Sequence, residues 1–294
     1  MYEEIIALLK CPNCNKPLHL VDSVLEAGEI VQGNLKCSCE ETWEIREGVL
    51  DFRVEEQESV NRWSELTTDM TFEELDEMIL SKTPQNQQDL TEDTIKDIIE
   101  YINLTKPEVV IDIATGRGML LNELVKDVKQ EFHLVCTDLS YVVLEADRRK
   151  IQKYNPKIKV NFVSCDATNL PFLDDSYDLA LSFMGISNMI DLIPKALKET
   201  HRVLKRNHYL LNSSIIIEQN SKGYELLKDF FSKESSEGFE KFLLANEVEK
   251  VHLDAGFKKA EFKMIGESIG QKNELDLLPY EGEWFGIGNI YTKK

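Results

Sequence analysis

The chain has 294 residues, of which 42% are hydrophobic and 30% are charged, a composition that supports a buried core and argues against wholesale disorder. Its formal net charge is −19, and residues 1–100 hold 8 basic and 24 acidic side chains. Because nucleic-acid affinity comes largely from Lys and Arg displacing counterions, this balance argues against a nucleic-acid partner and against an anionic membrane surface. The chain has no apolar run of membrane-spanning length and no basic secretory start, so we expect a cytoplasmic protein.

Four of the six cysteines lie in two close pairs within the first 40 residues. In a cytoplasmic chain, two such pairs favour a metal site over disulfides, and four thiolates suit tetrahedral zinc. We therefore expect a structural Zn²⁺ site at Cys11, Cys14, Cys37 and Cys39. The second pair is one residue tighter than usual, which leaves His19 as a substitute ligand, and free thiols or a redox pair remain alternatives. Cys136 and Cys165 lie in apolar runs and are expected to be buried.

The residues around these cysteines resemble zinc-ribbon modules of the Trm112-like type. The resemblance ends in an aromatic, apolar and glycine pattern formed by Trp43, Ile45, Arg46, Gly48 and Val49. It implies that residues 1–53 form a few short strands. Such strands bury little core alone and depend on the metal.

Residues 55–85 are acidic, with helical spacing of apolar side chains, and Thr71 with Glu74 forms a capping-box pattern. The polar stretch 83–89 contains Pro84 and predicts a linker or loop. Isoleucines at helical spacing then predict a helix over residues 92–103.

Beyond residue 105 the pattern alternates between strands and helices. Apolar strands are predicted at residues 109–114, 133–138, 160–165, 179–184, 209–217, 258–265 and 285–292. Helical patterns separate the first five, which predicts a parallel sheet covered on both faces. The last two lack an intervening helix, so we expect an antiparallel pair at one edge.

The first of these strands leads into a turn of small residues and then a helix. Such a turn lets a ligand approach the backbone at the helix N-terminus. Asp138 ends the second strand, where a ribose diol would need an acceptor, and Asp166 ends the third, where it could reach an adenine amino group. Each acid alone has a structural interpretation, but together they favour a cofactor pocket.

These residues resemble class I S-adenosylmethionine-dependent methyltransferases of the UbiE-like, small-molecule group. Asp112, Ala114, Gly116 and Gly118 match the first motif of that family, with Ala114 in place of a glycine. Further matches follow in order at Asp166-Ala167, at residues 170–172, 175–178 and 199–205, and at 253–257, whereas residues 206–208 replace the usual Pro-Gly-Gly. NAD is the competing ligand, but position 121 is Leu where its fingerprint has glycine.

The resemblance covers roughly residues 100–294 and implies a Rossmann-like α/β fold with a seven-stranded sheet and S-adenosylmethionine as cofactor. The implied cofactor-binding residues are Asp112, Ala114, Thr115, Gly116, Gly118, Asp138, Leu139, Asp166, Ala167 and Met184. Together the patterns predict a zinc-ribbon module at 1–53, a helical linker or lid at 54–104 and a methyltransferase domain at 105–294.

We expect methyl transfer to a small-molecule acceptor and name no catalytic residue, since such transfer needs alignment and exclusion of water more than a dedicated base. The acceptor pocket is expected near Ser182, Met184, Gly185, Asn188 and Met189, with aromatic residues Tyr224, Phe230, Phe231, Phe239 and Phe242. At helical spacing, these aromatic residues are more often core than a substrate cage.

Two alternative functions remain. The order of modules also resembles zinc-containing rRNA guanine methyltransferases, and the chain could be a regulatory protein that binds the cofactor without turnover.

Overall fold

A computed structural model describes residues 1–53, 70–152, 154, 158–233 and 238–294. The helical pattern expected over 59–69 lies outside these residues. The described part is an α/β structure built on one continuous sheet of eleven strands. None of its helices is both long enough and apolar enough to cross a membrane.

The strands fall into an N-terminal set of four and a C-terminal set of seven. The N-terminal strands are β1 (Leu18–Glu26), β2 (Glu29–Cys37), β3 (Thr42–Arg46) and β4 (Val49–Asp51). The others are β5 (Val109–Ile113), β6 (His133–Asp138), β7 (Lys159–Ser164), β8 (Tyr177–Phe183), β9 (Leu204–Ile217), β10 (Lys259–Ile269) and β11 (Trp284–Lys293). Their spatial order is β1-β2-β3-β4-β7-β6-β5-β8-β9-β11-β10.

The seven C-terminal strands confirm the predicted methyltransferase sheet. Strands β7, β6, β5, β8 and β9 are parallel to one another. Strand β11 pairs antiparallel with β9, and β10 pairs antiparallel with β11 at the edge. The segment 206–208, which replaces the usual Pro-Gly-Gly, lies within β9, where Asn207 adopts a positive φ of 64°.

Eight α-helices and two 3₁₀ segments are seen in the described ranges. The helices are α1 (Phe72–Lys82), α2 (Gln85–Thr105), α3 (Met119–Asp127), α4 (Tyr141–Ile151), α5 (Ile193–Val203), α6 (Lys222–Lys233), α7 (Glu240–Leu243) and α8 (Ala245–Asp254). The 3₁₀ segments are Glu3–Leu8 and Ile186–Leu192.

The capping box at the start of α1 is present, because Thr71 and Glu74 each accept a hydrogen bond from the other residue's backbone N–H. The expectation of a linker at 83–89 is wrong. Helix α2 begins at Gln85, with Pro84 at its N-cap. Proline has no N–H to lose at a helix start, where backbone N–H groups lack intrahelical partners, so it begins this helix rather than interrupting it.

Helix α2 is fixed to the C-terminal strands by a half-buried charged network. The carboxylate of Asp97 accepts hydrogen bonds from Asn289 Nδ2 at 2.8 Å and from the Tyr291 hydroxyl at 2.7 Å, and it pairs with Lys263. Burial opposes ionisation of Asp97, yet these three donors hold its pKa below the ordinary value. The network fixes the middle of helix α2, which precedes the first motif.

The N-terminal strands join the C-terminal sheet directly. Strand β4 runs parallel to β7, with Leu50 opposite Val163, and the backbone N–H of Phe52 donates to Ser164 O at 2.9 Å. One hydrophobic core also spans both parts, since Leu35 and Trp43 belong to the same buried cluster as Val163. Residues 1–53 therefore draw on the core of the larger sheet as well as on any metal.

Candidate cofactor and metal sites

The four cysteines of the two N-terminal pairs come together as predicted. Their sulfur atoms all lie within 4.8 Å of one another. The Sγ atoms of Cys11 and Cys39 are 3.7 Å apart, and those of Cys14 and Cys37 are 3.3 Å apart. Four sulfurs about 2.3 Å from a common centre would be separated by similar distances, so the donor set fits a tetrahedral zinc ion. His19 is not in this group.

Cys136 and Cys165 are buried, as predicted. Burial raises the pKa of both thiols well above the ordinary value, so they behave as small apolar side chains.

The turn after β5 is strongly curved. Ala114, Gly116 and Gly118 all have positive φ, at 55°, 59° and 68°. Only glycine adopts this region without cost, which explains a glycine preference at position 114 and makes Ala114 a mildly strained substitute. At Gly118, a Cβ would also lie 2.8 Å from Oδ2 of Asp147. Position 118 therefore needs glycine for both conformation and space.

Asp112 is the penultimate residue of β5, beneath this turn, and it is buried. Its Oδ2 accepts a hydrogen bond of 2.9 Å from the Thr115 hydroxyl, whereas Oδ1 has no hydrogen-bond partner in the part of the chain that the structure describes. Burial raises the pKa of Asp112 from 3.8 to about 7. An orphaned buried acceptor at the base of the turn fits a site for a ligand that carries a cationic group.

Asp138 ends β6 next to the turn. Its Oδ2 accepts from the backbone N–H of Gly116 at 3.0 Å, and its Oδ1 accepts from the backbone N–H of Ser140 at 2.9 Å. Helix α4 is capped by the hydroxyl of Ser140, which accepts from the backbone N–H of Val143, so Asp138 does not serve as its N-cap. A carboxylate offers about four lone-pair sites, more than these two backbone donors use. Asp138, with both oxygens held in place by the donors, therefore suits recognition of a diol.

The remaining predicted cofactor residues lie at the same edge of the sheet. Asp166 and Ala167 follow β7, Leu139 follows β6, and Met184 follows β8 with a positive φ of 60°. Gly185 is pressed against the turn, because a Cβ there would lie 2.5 Å from Ala114 O. The carboxyl ends of parallel strands are the ligand-binding edge of such sheets.

A charged cluster that the sequence did not reveal lies against the turn. Asp76 of α1 pairs with Arg117 in the turn and with Lys150 of α4, the latter at 2.7 Å. Lys150 also donates to Arg117 O at 3.1 Å and pairs with the buried Asp147 at 3.4 Å. Burial raises the pKa of Asp147 to about 8, against the opposing effect of Lys150. Helix α1 is thus held onto the turn by named side chains that no local motif marks.

Among the residues expected near the acceptor, Ser182 is structural. Its hydroxyl donates to Ile113 O and accepts from the Ile186 N–H, both at 2.9 Å. The aromatic residues are mostly core, as the helical spacing indicated. Tyr224, Phe231 and Phe239 are buried in one hydrophobic cluster, whereas Phe230 is exposed.

Comparisons with known proteins agree with this geometry. The pattern of the ubiE/COQ5 methyltransferase family matches residues 85–271. A demethylmenaquinone methyltransferase of Bacteroides fragilis is 32% identical over 113 residues, covering 38% of this chain and 45% of that protein. The ubiquinone/menaquinone biosynthesis C-methyltransferase UbiE of Rickettsia typhi is 33% identical over 125 residues, covering 42% and 48%. The chain spans about half the length of these curated relatives.

Solved structures show the same fold. A SAM-dependent methyltransferase of Methanosarcina mazei superimposes with a TM-score of 0.50 at 19% identity, over 66% of this chain and 96% of that one. The MccD protein gives 0.50 at 18% identity, over 72% and 100%. With the glycine turn, the strand-end acids and the sheet order in place, and with the family pattern covering most of the chain, the protein belongs to the ubiE/COQ5 methyltransferase family.

Proposed function

We propose that the protein is an S-adenosylmethionine-dependent methyltransferase that acts on a small molecule. The observation that carries the proposal is the Asp138 carboxylate, held between the backbone N–H groups of Gly116 and Ser140 at the ligand-binding edge of the sheet. Asp138 would hold the ribose hydroxyls, Asp166 the adenine amino group, and residues 112–118 the amino-acid end. When bound, this cofactor supplies an electrophilic methyl group on a sulfonium.

The chain's own contribution is alignment and exclusion of water, which methyl transfer requires more than a dedicated base. Helix α1 is tied to the glycine turn through Asp76, where it would help to exclude water from this side of the site. An acidic, partly apolar site also favours a sulfonium over a dinucleotide, whose pyrophosphate would be repelled.

For the acceptor, charge favours a small molecule over RNA. The first 100 residues hold 8 basic and 24 acidic side chains, and each phosphate contact needs a base. The names of the relatives refer to demethylmenaquinone and to ubiquinone and menaquinone biosynthesis, so a reduced demethylated quinone is the first acceptor to try.

We further propose that the four-cysteine cluster holds a structural Zn²⁺, because all four donors are sulfur and a closed Cys₄ set leaves no open position for catalysis. We also propose three units: a metal module at 1–53, a helical linker or lid at 54–104 and a methyltransferase domain at 105–294. This division follows the change from strands β1 to β4, to helices α1 and α2, and then to β5.

The test is incubation with methyl-labelled S-adenosylmethionine and, in separate reactions, total RNA, a metabolite extract or a demethylated quinol, at an ionic strength near that of cells. We expect label only in the small-molecule reactions, and much less of it with Asp138→Ala at a cofactor concentration that does not saturate the variant. Label in RNA would instead support the rRNA or tRNA methyltransferase alternative. Cofactor binding without transfer to any pool would support a regulatory protein.

A further inference from the structure

We infer that residues 1–53, here called the cysteine module, form the outer wall of the adenine end of the cofactor site. Metal binding and cofactor binding would then be thermodynamically linked. This inference rests on the proposed function. It assigns a ligand-binding role to module residues that lie outside the family match at 85–271.

A cavity of about 130 Å³ separates the module from the segment after β7. From the module it is lined by Asn13, between Cys11 and Cys14, and by Trp43 and Phe52. From the other side it is lined by Cys165, Asp166 and Asn169. Because Asp166 is the acid proposed to meet the adenine amino group, the module faces that end of the site.

The sheet explains why these residues meet. Strand β4 is a parallel neighbour of β7, so their carboxyl ends lie at the same edge. Ligands of α/β sheets bind outside the carboxyl ends of the strands. Phe52 directly follows β4 and therefore lies at this carboxyl edge, where residues that contact a ligand are expected.

Two polar groups on the cavity lining lack partners within the described ranges. Oδ1 of Asp166 accepts from both the backbone N–H and the hydroxyl of Thr168, at 2.7 and 2.8 Å, while Oδ2 accepts from neither. The indole N–H of Trp43 has no acceptor, although the residue is only 5% exposed. The indole nitrogen has almost no accessible surface, so Trp43 offers a ligand in the cavity its ring, and Oδ2 of Asp166 is the group left to accept a hydrogen bond from it.

The backbone joins the metal knuckle to the same segment. Lys10 N–H donates to Pro171 O at 3.0 Å, and Leu173 N–H donates to Leu8 O at 2.8 Å. Cys11 follows Lys10 directly. A metal that fixes Cys11 would therefore also fix the loop from Asp166 to Leu173, and ordering of that loop would favour cofactor binding.

The experiment is calorimetry with S-adenosylhomocysteine on the full chain. Binding is measured with zinc loaded, after treatment with a chelator, and for the zinc-loaded variants Asn13→Ala and Trp43→Phe. We expect each change to weaken affinity by about fivefold or more, within the usual range of coupling between sites. Linkage also requires that S-adenosylhomocysteine slow removal of zinc by the chelator, read by a metal indicator.

Lys16→Ala is the matched control, because Lys16 is exposed in the same module and does not line the cavity. It should leave affinity unchanged. Metal content and melting temperature are measured for every variant. Asn13 is exposed, so Asn13→Ala should keep its melting temperature while its affinity falls. Trp43→Phe removes an unsatisfied donor but also leaves space in the core, so its affinity is compared at a temperature well below its own melting point.

Unchanged affinity in both Asn13→Ala and Trp43→Phe would overturn the inference. A weaker affinity of the chelated protein would not rescue it, because loss of metal could also unfold residues 1–53. Wild-type protein that fails to bind S-adenosylhomocysteine would instead contradict the proposed function, and the inference with it. Wild-type binding with weakened variants of full metal content supports both.

Discussion

The backbone N–H of Gly116 donates a 3.0 Å hydrogen bond to Oδ2 of Asp138, although 22 residues separate them in the sequence. The acid at the end of β6 thereby fixes the conformation of the turn that follows β5. The same carboxylate that would meet the ribose also shapes the backbone that would meet the rest of the cofactor, so the two functions cannot be altered independently.

Replacing Asp138 tests that double role. Asp138→Ala should weaken S-adenosylhomocysteine binding by about 1.5–3 kcal/mol, because the ribose hydroxyls lose a charged acceptor. Asp138→Asn keeps one oxygen acceptor and should lose less. Calorimetry measures both, and equal affinity in wild type and Asp138→Ala would rule out the assigned role.

The pH dependence of stability tests the buried acid Asp112. Its pKa is raised by burial from 3.8 to about 7, so the folded chain holds a proton that the unfolded chain releases. Its contribution to stability is thus present below pH 3.8 and lost as pH rises to about 7. Asp147, raised to about 8, acts with the same sign.

Between pH 4 and pH 8, Asp112→Asn should therefore lose less stability than wild type, by on the order of 2–4 kcal/mol. The N-terminal amine of Met1 and the ring of His252, whose pKa values are lowered by burial, act with the opposite sign in both proteins and cancel in this comparison. Urea unfolding at several pH values measures the difference. A variant with the wild-type slope would show that Asp112 is not protonated in the folded state at neutral pH.

The attachment of helix α1 to the turn depends on Asp76. Its side chain is 31% exposed, so the pairs with Arg117 and Lys150 are partly screened, and we assign them about 1 kcal/mol. Asp76→Ala should make amide hydrogen exchange over Phe72–Lys82 several times faster. Glu77→Ala, an exposed neighbour, is the control, and identical exchange in the two variants would contradict the attachment.

The network at Asp97 should be worth more than any surface pair. Asp97→Ala leaves the buried amide of Asn289 and the half-buried hydroxyl of Tyr291 without this acceptor, and should lower the free energy of unfolding by about 2–4 kcal/mol. Asp93→Ala removes an exposed pair with Lys96 and should cost under about 0.5 kcal/mol. Denaturant unfolding compares them, and similar losses would mean that the network adds nothing beyond a surface contact.

Local patterns were sufficient to predict much of this fold. The parallel strands from β5 to β9 are buried on both faces and therefore appear as apolar runs separated by helices. The capping box at Thr71 and the cysteine spacing are equally local signals, and both patterns are present in the structure.

Long-range features were not predictable in this way. The three-residue strand Val49–Asp51 pairs with a strand more than 100 residues later, and no spacing in the sequence marks that register. The cluster of Asp76, Arg117 and Lys150 joins three elements through ordinary surface residue types. The start of α2 was missed because polar side chains beside Pro84 also typify loops.

The pairing of β4 with β7 has a consequence for solubility. Strand Lys159–Ser164 is largely buried, and without its neighbour it would present unpaired backbone groups along an apolar edge. Such edges are templates for aggregation. With the N-terminal strands in place, the edge strand of the sheet is instead β1 (Leu18–Glu26). Its second half is exposed, and its pairing with β2 is irregular around Asp22, which has a positive φ. Residues 1–53 therefore cover an edge of the methyltransferase sheet that would otherwise be open to strands of other chains.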